Sequence, residues 1–449
     1  GVLIGFICFG IRTRKMGTAL DAHTFPELLG RRYESRFIQG FSGLIIFFFM
    51  PLYTAAILIA ISSFIEVYTG IPFAMALLVF LLITACYVIW GGLKGVRYTS
   101  GFQGILLLVG MVIICVTTYS SLGGVVEAHR YLGALFSSMP PSIKALGHRG
   151  FSAMPEGGSP LWWYLVTTMI MGVGIGVIGQ PQLNVRFMTL KTDREVHRSI
   201  PFAALFLLIT SGVAYVVGPL TNALFMRRFG EFSVAVAGGN IDKIIPTYID
   251  TFYPQWFVAL FLVAMMSTAM GMVSGQFHAL GTSLSRDFFE QGILRGRSVA
   301  ETTIVTRIGI VFGILITLIL GLVLPEGSVA SATVFFFSLC GATFIPTYIA
   351  ALYWKRATKA AAKASLITGF SASLLWILFV HGEGARAVGL CRLIRGEVIK
   401  HKNRDYVIAA HAFGASNMHI IFKHIIPNVF HLVIIDFSLR FVSFIHADV

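Results

Sequence analysis

The chain has 449 residues, 56% of them hydrophobic and 12% charged. A soluble domain carries about 25% charged residues, so a water-soluble globular protein is excluded and a chain built for lipid is implied. The formal charge of +14 lies mostly in short loops between apolar runs, where membrane topology accounts for it, and no nucleic-acid partner is expected.

In chain order, the apolar runs predict ten membrane spans, each near the roughly 20 residues that cross a bilayer as helix. The first is partial, about 1–11. The chain opens inside it without a methionine, so the sequence reads as starting within a longer protein. The others are expected at about 37–65, 72–91, 102–120, 161–181, 200–225, 255–284, 303–324, 330–353 and 363–380. Pro51, Pro181 and Pro219 fall within or at the ends of these spans, as membrane helices tolerate. Trp162 and Trp163 open the fifth span, where an interfacial aromatic belt belongs. The five cysteines share no metal-ligand spacing and read as small apolar side chains.

Every second loop is short and basic: 12–36, then Lys94 and Arg97, then 186–198, 286–297 and 355–363. These loops are expected on the cytoplasmic side of a plasma (inner) membrane. By that alternation the tenth span ends outside, near His381. Yet the residues that follow are basic, with Arg386, Arg392, Arg395 and Lys400, and no further span intervenes. Either one of these spans is misassigned, or two unrelated pieces have been joined.

The spans hold almost no ionisable side chain away from their ends; His278 and Arg307 are the nearest cases. A proton relay needs intramembrane carboxylates or similar groups, whereas neutral oxygens suit an alkali cation. Ala264, Ser267 and Thr268 fall at i, i+3 and i+4 on one helix face. One reading is an ion site, with the Ala264 carbonyl freed by a local distortion and hydroxyls from Ser267 and Thr268. The other is a pair of hydroxyls bonding back to i−4 carbonyls. The fifth span ends "MGVGIGVIGQPQ". Its glycines and Pro181 loosen the helix, so Gly179, Gln180 and Pro181 are candidates to expose polar groups to a solute. Close packing through Gly172 and Gly176 is the alternative. His278 reads as a packed or cavity-facing histidine and not as a ligand.

Five segments carry a resemblance. They are "TFPELLGRRY" (Thr24 to Tyr33), "YVIWGGLKGVRYT" (Tyr87 to Thr99), "GQPQLNVRFMTLKTDREVHRS" (Gly179 to Ser199), "VAMMSTAMG" (Val263 to Gly271) and "YWKRAT" (Tyr353 to Thr358). Residues 1–380 resemble the sodium:solute symporter family on these motifs. The resemblance implies an all-α membrane bundle of the five-plus-five inverted-repeat (LeuT-type) fold. It implies Na+ as coupling ion at Ala264, Ser267 and Thr268, and symport of a small organic solute past Gly179, Gln180 and Pro181. Met270 and Gly271 depart from an Asp-Ser pair common in the family, and Val173 and Val177 replace aromatics of the proline carriers. The family's first helix, which supplies the other half of the sodium site, is expected before Gly1, so this chain alone is expected to couple poorly.

The stretch "RLIRGEVIKHKNRDYVIAAHAFGASNMHIIFKHIIPN" near the end resembles a different family, the permease of ABC importers of oligopeptides and dipeptides. Ala409, Ala410, Gly414 and Pro427 hold the places of its ATPase-docking motif, and Ile408 replaces the usual Glu. Gly414 supplies the bend. The expected organisation is therefore a symporter bundle over 1–380 and a permease-like docking fragment over 381–449. The rival function is a permease subunit with an ATPase partner. No P-loop, His-Glu-x-x-His or Gly-x-Ser-x-Gly motif marks an enzyme.

Overall fold

The computed structural model describes residues 1–293 and 302–379. The docking-motif residues Ala409, Ala410, Gly414 and Pro427 lie outside the described residues. The chain divides into two compact units, Gly1–Gly369 and Phe370–Val449. Among the described residues all regular structure is helical. Local chemistry sets many of the ends. Thr24 caps helix Phe25–Arg32, accepting from the Glu27 N–H at 3.1 Å, with Pro26 in the first turn. Ser35 caps helix Arg36–Thr69, which stops at Gly70 in the left-handed region, φ 72°. Thr192 caps helix Asp193–Phe229, and Glu195 reaches back to the Lys191 N–H at 2.8 Å.

Seven described helices are long and apolar enough to cross a membrane. Helix Arg36–Thr69 is the hub: 72% of its apolar window is buried, against 6% for Asp193–Phe229. It touches helices Gln255–Thr282, Thr302–Val323 and Val329–Tyr353, and the π-helical segment Ser283–Ile293. Asp193–Phe229 instead shows Phe202, Leu208 and Tyr215 on its outside, which is the surface lipid covers.

The ten expected spans need correction in two places. The first helical run continues past 11, through Val2–Ile4, the π-helical Gly5–Phe9 and Gly10–Ala19. The third and fourth spans share one helix, Phe73–Ser121, with no break at 92–101. That stretch has three glycines but no proline. A helical glycine costs only about 1 kcal/mol, so nothing local forces the helix to end. The two apolar parts remain distinct, Phe73–Cys86 and Gln103–Ser121. Glu66, before the first, meets Lys243 at 2.9 Å, and Thr118, in the second, bonds to Tyr248 at 2.6 Å. Helix Lys359–Phe379 occupies the place of the tenth span.

Polar contacts sort the loops into two ends. At one end Arg14 bonds to Asp193 and the Lys191 carbonyl, Arg286 bonds to Glu27, and Arg32 bonds to the Trp354 carbonyl. These are the basic loops. At the other end Arg227 bonds to the Ser121 carbonyl and Asn240 to Glu326. For these loops the charge alternation read from the sequence is a spatial separation; positions 94 and 97 lie within helix Phe73–Ser121 instead of in a loop.

Candidate functional site

The span Pro160–Met188 is broken in the way its glycines and Pro181 suggest. Ser159 caps its start at the Trp162 N–H, 3.2 Å away. The backbone then passes through a π-helix, Tyr164–Val173, an α-turn, Gly174–Gly176, and a 3-10 turn, Val177–Gly179. Gln180 is extended, φ −68° and ψ 128°, and helix Pro181–Met188 begins after it. Pro181 explains the step: its ring disfavours helical geometry at the residue before it, and it has no N–H to give.

The break is pressed against the middle of helix Val329–Tyr353. A Cβ on Gly179 would stand 2.8 Å from the Cys340 carbonyl, and Gly172 and Gly176 face Ser338 and the Phe337 carbonyl as closely. The glycines therefore do both jobs proposed for them, close packing and loosening. Asn184 staples the break, its Nδ2 donating to the Ile178 and Gln180 carbonyls, each at 3.0 Å. Gln182 Nε2 donates to Gln180 Oε1 at 3.1 Å. This leaves Gln180 Nε2, Gln182 Oε1 and Asn184 Oδ1 without partners among the described residues. Gln180 and Asn184 are buried, at 5% and 0% exposure. A buried amide group left unpaired costs about 1–3 kcal/mol, so three in one turn make this break the candidate binding place. Gln182 and Asn184 were not singled out from the sequence. The signal was there: three amide side chains directly after the proline of an apolar span.

Ala264, Ser267 and Thr268 lie midway along helix Gln255–Thr282, against which helix Pro181–Met188 packs. Ala264 is buried and Thr268 Oγ1 donates to its carbonyl at 2.8 Å. Helix Gln255–Thr282 runs without interruption, so the expected local distortion is not present and the Ala264 carbonyl is not freed by one. The back-bond places two oxygens side by side on one helix face. An alkali ion would be held by those same lone pairs once the hydroxyl proton turns away. Ser267 is half-buried one residue before. His278 stands ten residues further along the helix than Thr268, with its Nε2 buried and without a partner among the described residues.

A family model described as "Sodium:solute symporter family" matches residues 1–369. A second, "Binding-protein-dependent transport system inner membrane component", matches residues 309–447 and overlaps the first. The osmoregulated proline transporter OpuE of Bacillus subtilis (strain 168) is 24% identical over 383 residues, covering 84% of this chain and 72% of its own length. A sodium/proline symporter of Staphylococcus aureus (strain bovine RF122 / ET3-1) is 25% identical over 371 residues, 80% of this chain and 67% of its own. Among solved structures, the substrate-bound outward-open state of a Na+-coupled sialic acid symporter aligns at a TM-score of 0.58. It shares 15% identity and covers 83% of this chain and 87% of its own. That likeness shows the fold.

Proposed function

The chain belongs to the sodium:solute symporter family and is a sodium-coupled carrier of a small solute, and we propose that the solute sits at the Gln180 break while the ion sits at Ala264, Ser267 and Thr268. The observation that carries the solute site is the set of unpaired amide atoms at a broken helix: one donor, Gln180 Nε2, and two acceptors, Gln182 Oε1 and Asn184 Oδ1. Gly179 and Pro181 shape the break, and Gln180 presents the donor. An uncharged set of this kind suits a neutral or zwitterionic polar solute, because an isolated charge would be left without a counter-ion in a buried place. The proline carried by relatives named for it is the first solute to try.

Coupling follows from position. Helix Pro181–Met188 leans on the ion-site helix, so filling one site alters the wall of the other. The neutral ligands for the ion agree with the way carriers built on broken helices hold sodium. The basic end faces the cytoplasm of a plasma (inner) membrane on this reading, by the charge rule. Uptake of labelled solutes into liposomes, with and without an inward sodium gradient, tests the function in the carrier supplied with the family's first helix. Sodium-stimulated uptake of a neutral or zwitterionic solute is expected. Uptake that ignores sodium for every solute in the panel would contradict it.

The second family match favours a separate reading for the end of the chain. We propose that 381–449 is a piece of an ABC-importer permease attached to a symporter bundle over 1–380. Sequencing the source DNA across Phe379 to Leu390 tests this: a junction between two foreign reading frames is expected, and one uninterrupted natural frame would contradict it.

A further inference from the structure

At the basic end of the bundle the short helix Phe25–Arg32 and its cap Tyr33 are fastened to helix Val329–Tyr353 at three points. Tyr33 Oη donates to the Thr347 carbonyl at 2.9 Å, and Arg32 Nε donates to the Ala351 carbonyl at 3.1 Å. Phe25 meets Phe344 and Tyr348 edge to face. Glu27, inside the helix, is fully satisfied. Its Oε1 accepts from Arg31 Nη2 at 2.6 Å and Arg286 Nη2 at 3.0 Å, and its Oε2 accepts from the His23 N–H at 2.8 Å.

Asp287 is built differently. It is the continuation of the ion-site helix, in segment Ser283–Ile293, and it is completely buried. Its Oδ1 takes both available donors, Thr24 Oγ1 at 2.8 Å and Gln39 Nε2 at 2.9 Å. Its Oδ2 has no partner among the described residues. The approach is close: a Cβ on Gly43 would stand 2.9 Å from both the Asp287 Cβ and the Ser283 carbonyl. Two hydrogen bonds and the neighbouring Arg286 hold this arrangement together. A buried carboxylate with one bare oxygen opposes it. Water reaching the mouth would solvate that oxygen and repay part of the lost bonds.

Resting on the carrier reading above, we propose that Asp287, with Thr24 and Gln39, is the latch of the cytoplasmic mouth. It is a positioning group that pins the lower end of the ion-site helix to helix Arg36–Thr69 and releases it when the mouth opens. The half-satisfied carboxylate keeps closed and open arrangements near balance. A carrier needs that balance, since a gate held too firmly in one state does not cycle under the small bias a ligand supplies. Glu27 is the fixed anchor beside the latch.

The latch makes opposite predictions for two changes at one contact. The reporter is Ser42→Cys, at a fully buried position one residue from Gly43, in the full chain with its native cysteines replaced. Labelling by a membrane-impermeant thiol reagent is followed from the cytoplasmic face of oriented vesicles, without solute. Gln39→Leu removes a donor from the carboxylate and raises the labelling rate about tenfold, the worth of one hydrogen bond to a charged group. Thr24→Val acts the same way and serves if Gln39→Leu does not fold. Asp287→Asn removes the charge that water would solvate and lowers the rate. Unchanged rates, both changes moving in one direction, or entry of the reagent from the opposite face would each overturn the latch. Labelling without solute does not depend on sodium transport, so a failure of the carrier reading would be seen separately, in the uptake measurement.

Discussion

Gln180, Gln182 and Asn184 divide their amide atoms between the backbone, one another and no partner among the described residues. Asn184 spends its donor on the Ile178 and Gln180 carbonyls, so its loss would damage the break itself. Gln180 Nε2 has no such duty, which makes it the cleaner probe. Gln180→Leu is expected to raise the KM for solute by about tenfold or more, as loss of a buried hydrogen bond predicts. Sodium affinity measured without solute is expected to stay the same. A second residue makes a prediction about pH at the other end of the molecule. Asp242, in the turn Ile241–Lys243, accepts from the backbone N–H groups of Gly327 and Val329, yet burial pushes its pKa up to about 6. A carboxyl with a raised folded-state pKa favours folding while protonated. That contribution is complete below the ordinary carboxylate range and is lost as pH rises through about 6. Asp242→Asn fixes the neutral form. Its melting temperature relative to the unaltered protein is therefore expected to climb between pH 4 and pH 7, in detergent melts; a difference that stays flat would refute this.

Among the elements, the broken span makes a paired test. Gly176 faces the Phe337 carbonyl with no room for a side chain, while Gly174 has nothing within 4 Å. Gly176→Ala is expected to destabilise the protein clearly, and Gly174→Ala to leave it unchanged or slightly more stable, since alanine favours helix. Thermal melts of the two variants check this. The same span shows why some of the architecture was legible. Gly, Pro and capping residues act on their own neighbours, so the break at Gln180 and the cap at Thr24 can be read along the chain. The Ala264–Thr268 relation was legible as spacing, but the spacing did not say whether the carbonyl is freed or back-bonded, and it is back-bonded. The turn expected at 92–101 was misread because glycines permit a break without requiring one. The Asp287 contacts were not legible at all. Thr24, Gln39 and Asp287 come from three segments more than 240 residues apart at the extremes, 263 between Thr24 and Asp287, and no local pattern links them.

For the whole molecule, the coupling energy sets what the two sites must achieve. A sodium ion descending 100 mV and a tenfold gradient releases about 3.7 kcal/mol. That concentrates a neutral solute several hundredfold, on the order of 500, provided ion and solute move only together. The described fold supplies the parts for this. Its hub helix is buried, the proposed solute break and the proposed ion face lie on touching helices, and at its basic end Phe25–Arg32 is tied to helix Val329–Tyr353. All of it rests on an ion held by uncharged oxygens. Binding of radiolabelled sodium to the purified protein, compared with Ser267→Ala/Thr268→Ala, measures that directly. The account predicts saturable binding by the unaltered chain and at least a tenfold weaker affinity in the double variant, for the loss of two ligands worth about 1 kcal/mol or more each. Equal sodium affinity in the two proteins would contradict it.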